Sequence, residues 1–263
     1  MLLKNKTVVY ASAFFTLLSF NVQSTIVEIR TSLGPVEVNL FDNTTPQTVD
    51  NFLSYVNSGA YASNVVHRSI SGFIVQAGGF QYTGPITGSF TLDPVGKDPA
   101  VVNEPKFSNV RGTIAMAKSS NQANSATSEW FINLADNSAN LDRQNSGFTV
   151  FGQVTTAEGM QVIDAIAALN RLSAGAFTDL PIRDYTQADV DNDEPITDDN
   201  LVVISDIVIT DQAVDTAANL NPVANTLINK PTGGNSDSGG GGAFGWLLLL
   251  GLGLLQKSRM LKS

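Results

Sequence analysis

The stretch HRSISGFIVQAGGF, residues 67–80, says more about the fold of this chain than its whole composition does. It reads as strand-like runs over 64–70 and 73–77 and is followed by three further blocks: RGTIAMA at 111–117, SATSEWFIN at 125–133 and GFTVFGQV at 147–154. These blocks predict short strands over 112–117, 129–134 and 148–154, with a glycine-rich connector between them. Working outward, TIVEIRTS (25–32) and PVEVNLF (35–41) alternate and are joined by Leu33-Gly34, which predicts a hairpin. FDNTTPQTVDNFLSYVNSGAY (41–61) offers Thr45 as a helix cap and Pro46 as the first helical residue. Val49, Phe52, Leu53 and Val56 fall on one face, and Gly59 is a stop. A second helix is predicted over 157–168 with Met160, Ile163, Ile166 and Ala167 on one side, and a last strand over 201–210. Many short strands and two separated helices suggest a mainly β protein whose sheet closes on itself and so loses its edges. Periodicity alone leaves barrel and sandwich open.

The two ends differ from this body. Residues 1–24 carry Lys4 and Lys6, an apolar run from Val8 to Phe20 and then Val22-Gln23-Ser24, the pattern of a secretory signal peptide cleaved after Ser24. The alternatives are a first core strand or a membrane anchor, but the run is short for a span. At the other end GGGGAFGWLLLLGLGLLQ (239–256) is followed by Lys257, Arg259 and Lys262. Its apolar part, Ala243 to Leu255, rises only about 20 Å as a helix, against ~30 Å of bilayer hydrocarbon. Residues 213–238, with scattered Asn, Thr, Pro, Gly and Ser, read as a flexible linker. The two ends hold five lysines and arginines and no acid, so residues 25–238 carry a formal charge of −14 against −9 for the chain. So acidic a body disfavours nucleic acid and anionic membrane surfaces as partners. The absence of cysteine excludes a disulfide framework and any cysteine metal site.

From about Thr25 to Thr210 the order and spacing of these blocks resemble the cyclophilins. The resemblance implies one domain over 25–212: a closed eight-stranded antiparallel β-barrel capped by two α-helices, catalysing cis-trans isomerisation of X-Pro peptide bonds without a cofactor. It also implies a monomer whose partners are proline-containing polypeptides. Residues 239–263 resemble the glycine-glycine C-terminal sorting tails of Gram-negative bacteria, in which a short apolar helix with cytoplasmic basic residues is cut near the glycines by a rhomboid-type protease. Export machinery and a tail-processing protease are then further partners, and the expected location is the periplasm or the cell surface after transient anchoring. A permanent anchor is the alternative.

Rotating an X-Pro bond breaks no covalent bond, so the chemistry needs neither nucleophile nor metal. The barrier is ~18–20 kcal/mol, and ~7 kcal/mol of selective stabilisation of the twisted amide gives a 10⁵-fold acceleration. Twisting returns a lone pair to the prolyl nitrogen, and a fixed donor aimed at it stabilises only the transition state. In the resemblance that donor is Arg68, and Gln76 positions it. Phe73, Ile74, Phe131, Leu141 and Phe148 match the apolar pocket for the proline ring, and the Ala117-Lys118-Ser119 run matches a segment that pairs with substrate backbone. Read without the motif, the apolar members are ordinary core. His67, the single histidine, has no triad or metal partner and is expected to be a structural, hydrogen-bonded neighbour of Arg68.

Three departures from the family are informative. Glu129 stands where the family commonly has glutamine; an ionised carboxylate accepts but cannot donate, so it either loses a contact to substrate or pairs with Arg68. Asn140 replaces a frequent tryptophan, which weighs against high cyclosporin sensitivity, and Phe148 replaces a pocket histidine. The acidic segment DVDNDEPITDD (189–199) alternates Asp189, Asp191 and Asp193 as calcium loops do, yet Glu194 stands where such a loop needs glycine. It is expected to be a solvated loop. The competing functions are a proline-binding chaperone with little turnover and a calcium-binding surface protein. Processing of the tail predicts a mature product ending near Gly239–Gly242. Intact-mass measurement on protein from the native envelope and medium checks this, and a mass that retains Trp246 through Ser263 in every fraction supports the permanent anchor instead.

Overall fold

The structure, a computed structural model, describes residues 24–84, 90–212 and 220–229. The stretch read as a signal peptide, except Ser24, and the stretch read as a sorting tail, 239–263, lie outside the described residues. Among the described residues no helix is long and apolar enough to cross a membrane.

In chain order the strands are β1 (Ile26–Thr31), β2 (Gly34–Leu40), β3 (Asn64–Val65), β4 (Arg68–Ile70), β5 (Ile74–Ala77), β6 (Phe80–Gln81), β7 (Asp93–Pro94), β8 (Thr113–Met116), β9 (Trp130–Asn133), β10 (Val150–Val154), β11 (Asn170–Ala174), β12 (Phe177–Ile182) and β13 (Val203–Asp211). The helices are α1 (Pro46–Asn57), α2 (Ser138–Leu141), α3 (Ala157–Ala168) and α4 (Gln187–Asp191). Eleven strands form one antiparallel sheet in the order β4-β5-β9-β8-β10-β2-β1-β13-β3-β6-β7, and β11 and β12 form a separate hairpin. The mainly β class is therefore present, but the hydrogen-bonded order is an open run of eleven short strands rather than a ring of eight. Its curl follows from connectivity: β3 and β4 are separated in sequence only by Val66 and His67 yet lie at distant places in the sheet order. The sheet must bend round for so short a link to reach.

The first hairpin has its turn one residue earlier than expected, at Ser32-Leu33, because Thr31 pairs with Gly34. In α1 the buried face is Val49, Phe52 and Tyr55, rotated toward Tyr55 from the expected stripe; Leu53 and Val56 are only half-buried. Phe52 stacks near Tyr61, Trp130 and Phe151, which draws that edge of the helix inward. Thr45 does not cap the helix with its side chain. Its hydroxyl donates to the Phe41 carbonyl at 3.3 Å, and Glu104 from a distant loop accepts from the Thr48 N–H at 2.9 Å. The helix start is thus satisfied by a tertiary carboxylate, which also suits the positive end of the helix. Helix α3 is capped locally, with Thr156 Oγ1 accepting from the Gly159 N–H at 3.0 Å, and buries Ile163 and Ile166.

One residue bears on the expected cleavage site, and one stretch departs from the sequence reading. Ser24, assigned to the leader by cleavage after it, is buried and donates to Asn39 Oδ1 at 2.6 Å, a contact such cleavage would remove. Residues 220–229, inside the stretch read as a flexible linker, form instead an ordered strap along residues 105–109: Phe107 bridges Ala224, the Ser108 N–H donates to the Val223 carbonyl at 2.8 Å, and the Asn225 N–H donates to the Lys106 carbonyl at 2.9 Å. Composition suggested a linker because the strap has no periodic apolar face; its order comes from main-chain hydrogen bonds to another segment.

Candidate active site

The pairing register sorts the residues of the site. Arg68 on β4 lies opposite Gln76 on β5, Gln76 opposite Phe131 on β9, and Phe131 opposite Ala115 on β8. Directly paired residues share a face and next neighbours in a strand do not. One face of these strands therefore presents Arg68, Ile74, Gln76, Ala115 and Phe131. The other presents Val75, Ala77, Ile114, Met116, Trp130 and Ile132 to the main core. Leu141 from α2 and Phe148 from the following loop join Ile74, Ala115, Ala117 and Phe131 in a second apolar cluster, with Phe73 half-buried against it. The rings of Phe131 and Phe148 meet edge to face at 5.9 Å. Glycine is needed where β5 ends. Gly78 has φ +85°, and a Cβ on Gly79 would stand 2.8 Å from Cδ of Glu129.

At the polar end of this face Arg68 Nη1 donates to Gln76 Oε1 at 3.4 Å, and Gln76 Nε2 donates to Glu129 Oε2 at 2.9 Å. Glu129 is thus linked to Arg68 through Gln76. The same carboxylate oxygen lies 3.5 Å from Nε2 of His67, and that imidazole sits against the rings of Phe80 and Phe177. Among the described residues His67 Nδ1 has no hydrogen-bond partner, so the ring is held by packing and by Glu129. Asp179, on the β11–β12 hairpin, brings Oδ2 to 3.9 Å from Nε of Arg68. Burial pulls the Arg68 pKa down while Asp179 and Glu129 oppose the shift. A guanidinium remains charged under any such perturbation. The arrangement is a cation with restricted freedom beside an apolar cluster.

In the Ala117-Lys118-Ser119 run the two flanking N–H groups are bonded within the protein. The Ala117 N–H is taken by the Glu129 carbonyl at 2.9 Å, and the Ser119 N–H by Ser125 Oγ at 2.8 Å. Lys118 is 2% exposed. Its Nζ donates to the carbonyls of Asn145 at 2.8 Å and Gly147 at 2.6 Å, and lies 4.7 Å from the centre of the Phe148 ring. The lysine is a brace for the wall of the apolar cluster. Those two carbonyls lie in a run of three successive residues in the left-handed region, Asn145 at φ 51°, Ser146 at 63° and Gly147 at 72°. Asn103 Nδ2 donates to the other exposed carbonyl, that of Ser146, and to that of Gly147, both at 2.8 Å. The Asn-Ser-Gly sequence was a legible turn signal. The brace, Asp179 and Asn103 carried no sequence signal, because each acts from a remote position.

In the acidic segment, Asp189 accepts from the backbone and hydroxyl of Thr186 as the third residue of α4 in a capping box, and these bonds hold its pKa below the ordinary carboxylate value. Among the described residues no group of three potential metal ligands is found.

Residues 26–187 match the family model for the cyclophilin type peptidyl-prolyl cis-trans isomerases. Peptidyl-prolyl cis-trans isomerase A of Dickeya dadantii is 41% identical over 162 residues, covering 60% of this chain and 79% of that protein. A peptidyl-prolyl cis-trans isomerase of Acinetobacter baylyi is 38% identical over 159 residues, covering 60% and 80%, and isomerase B of Escherichia coli is 34% identical over 163, covering 60% and 94%. A crystal structure of a Cryptosporidium parvum cyclophilin type isomerase superposes with a TM-score of 0.51 at 21% identity, covering 72% of this chain and 99% of that one. The same protein was also solved in the presence of the dipeptide Ala-Pro. The chain therefore belongs to the cyclophilin-type peptidyl-prolyl cis-trans isomerases.

The lysine brace makes a pH prediction. Burial lowers the Lys118 pKa from 10.5 to about 8. Between those values the unfolded chain holds a proton that the folded chain has released, so unfolding free energy should rise with pH across that window. Urea unfolding of the wild type and Lys118→Met between pH 7 and 10 checks it: the wild type should gain stability relative to the variant as pH climbs past 8, and a flat difference removes the assigned depression.

Proposed function

We propose that this isomerase acts on X-Pro bonds in unfolded or exposed segments of exported proteins, with Arg68 as its catalytic residue. The observation that carries the catalytic assignment is the convergence of Arg68, Gln76 and the cluster around Phe131 on one face of the β4, β5 and β9 strands. A proline ring seated against Phe73, Phe131, Leu141 and Phe148 is held in an apolar, water-poor setting while the preceding carbonyl rotates. As the amide twists, Arg68 donates to the prolyl nitrogen, an interaction absent from the planar ground state. Gln76 fixes the guanidinium, and Glu129 fixes Gln76. No covalent intermediate and no cofactor enters.

Export is supported by the composition of the two ends: a basic start, an apolar run and a small-residue site at 1–24, and glycines, a short apolar run and a basic end at 239–263. The strong negative charge of the body suits solubility outside the cytoplasm and disfavours anionic surfaces. Broad tolerance of the residues flanking proline follows from a site built around the ring. The protein acts as a monomer on proline-containing polypeptides.

Removal of the single transition-state donor in Arg68→Ala should cut kcat/KM by about 10²–10³ with the fold retained. A protease-coupled assay with an X-Pro peptide checks it, and full activity in the folded variant overturns the assignment. In the same assay Glu129→Gln keeps an acceptor for Gln76 and adds a donor for substrate, so kcat/KM should rise at neutral pH; Glu129→Ala removes the acceptor and should lower it. A fall in the glutamine variant assigns the negative charge itself to holding Arg68.

A further inference from the structure

The strap at 220–229 lies beyond the 26–187 family match and touches the segment that carries two pocket residues. Leu141 and Phe148 bracket the loop 142–147, and the Phe148 N–H closes that loop by donating to the Leu141 carbonyl at 2.9 Å. Three residues in a row at positive φ, two of them with side chains, make a conformation that is unfavourable by itself. Such a loop keeps its shape only if its surroundings hold it. Lys118 and Asn103 hold the carbonyls of residues 145–147.

The strap supplies further contacts. Asn225 Nδ2 donates to the Asp142 carbonyl at 3.0 Å, at the start of the loop. Its Oδ1 accepts from the N–H groups of Leu227 and Ile228, both at 3.0 Å, so the same side chain shapes the strap's own turn. That turn places Ile228 against the end of the loop: a Cβ on Gly147 would stand 3.1 Å from Ile228 Cδ1. Leu220, at the other end of the strap, packs against the apolar cluster itself. A second connection runs through Asn109, which follows the strap-paired Ser108. Asn109 donates its main-chain N–H and Nδ2 to Asp142 Oδ1 at 2.8 and 3.0 Å, and its Nδ2 also to the Phe148 carbonyl at 3.3 Å.

We propose that the strap is a positioning element of the proline site, in which Asn225 and Ile228 hold the strained 142–147 loop so that Leu141 and Phe148 stay in place against Phe131. The inference rests on the assignment of that cluster as the proline pocket. The strap ends ten residues before Gly239, so processing at the glycines leaves it on the mature protein. The pocket of this protein then depends on a segment outside the 26–187 family match.

Three variants of the full chain test this. Asn225→Asp keeps an acceptor for the Leu227 and Ile228 N–H groups but removes the donor to Asp142, Asn225→Ala removes both, and Ile228→Ala removes the contact at Gly147. Amide hydrogen exchange is measured at Gly147 and Phe148, with β1 and β2 as internal reference, and kcat and KM are measured separately with an X-Pro peptide. Exchange at Gly147 and Phe148 should quicken in all three while β1 and β2 stay protected. KM should rise about three- to tenfold, the scale of one lost hydrogen bond, with kcat nearly constant. Unchanged exchange at Gly147 and Phe148 in Asn225→Asp overturns the proposal, as does a loss of protection spread evenly over β1 and β2. Failure of the pocket assignment is read separately: quicker exchange at the loop without any rise in KM dissociates loop restraint from substrate binding.

Discussion

The whole site depends on the strict alternation of side chains across β5, β8 and β9. Each strand is only four residues long, yet each sends alternate residues to opposite faces. Val75, Ala77, Ile114, Met116, Trp130 and Ile132 enter the main core, which locks the register; a slip by one residue would move that set to the opposite face and put Gln76 into the main core in its place. With the core face fixed, Ile74, Gln76, Ala115 and Phe131 have no choice but the opposite face. Arg68 joins them because it pairs with Gln76 across the β4–β5 hairpin. The chemistry is thus a consequence of how the core is packed.

Around that face the protein uses polar groups to hold polar groups. The chain from Arg68 through Gln76 and Glu129 to His67 links each member to the next, which matters because Gln76, Glu129 and His67 are all buried. A buried carboxylate beside the guanidinium lowers the positive potential that a substrate meets, but it also fixes the side chain that fixes the arginine. The hairpin β11–β12 adds Asp179 on the other side of Arg68 and Phe177 against His67. The cation is thereby approached by carboxylates from two separate elements.

The apolar side of the site has a different problem, which is strain. A run of left-handed residues between Leu141 and Phe148 lets the chain reverse sharply enough to return Phe148 to the cluster, and this conformation is unfavourable by itself. Hydrogen bonds from Lys118 and Asn103 offset it by using the carbonyls that the reversal exposes. Burial of the lysine amine destabilises its charged form, so the placement that shapes the wall of the cluster brings its proton equilibrium down to about pH 8.

By itself the sequence determined the mainly β class and the boundaries of the two long helices, and it marked Arg68, Gln76 and Phe131, which the structure brings onto one face. Each is written in local patterns: alternation, caps and turns, and blocks such as HRSISGFIVQAGGF and SATSEWFIN. Helix α3 matches its expected span because Thr156 and the apolar stripe are local signals. Tertiary structure alone decided what caps α1, where the Lys118 amine goes, which partners Glu129 takes and that residues 220–229 are a strap. In every one of these cases the partner is far away in the chain: Glu104 for Thr48, Asn145 and Gly147 for Lys118, Gln76 for Glu129, Asp142 for Asn225. A single hydrogen bond across such a distance leaves no periodicity in either segment, because its geometry exists only once the sheet has curled and brought the two together.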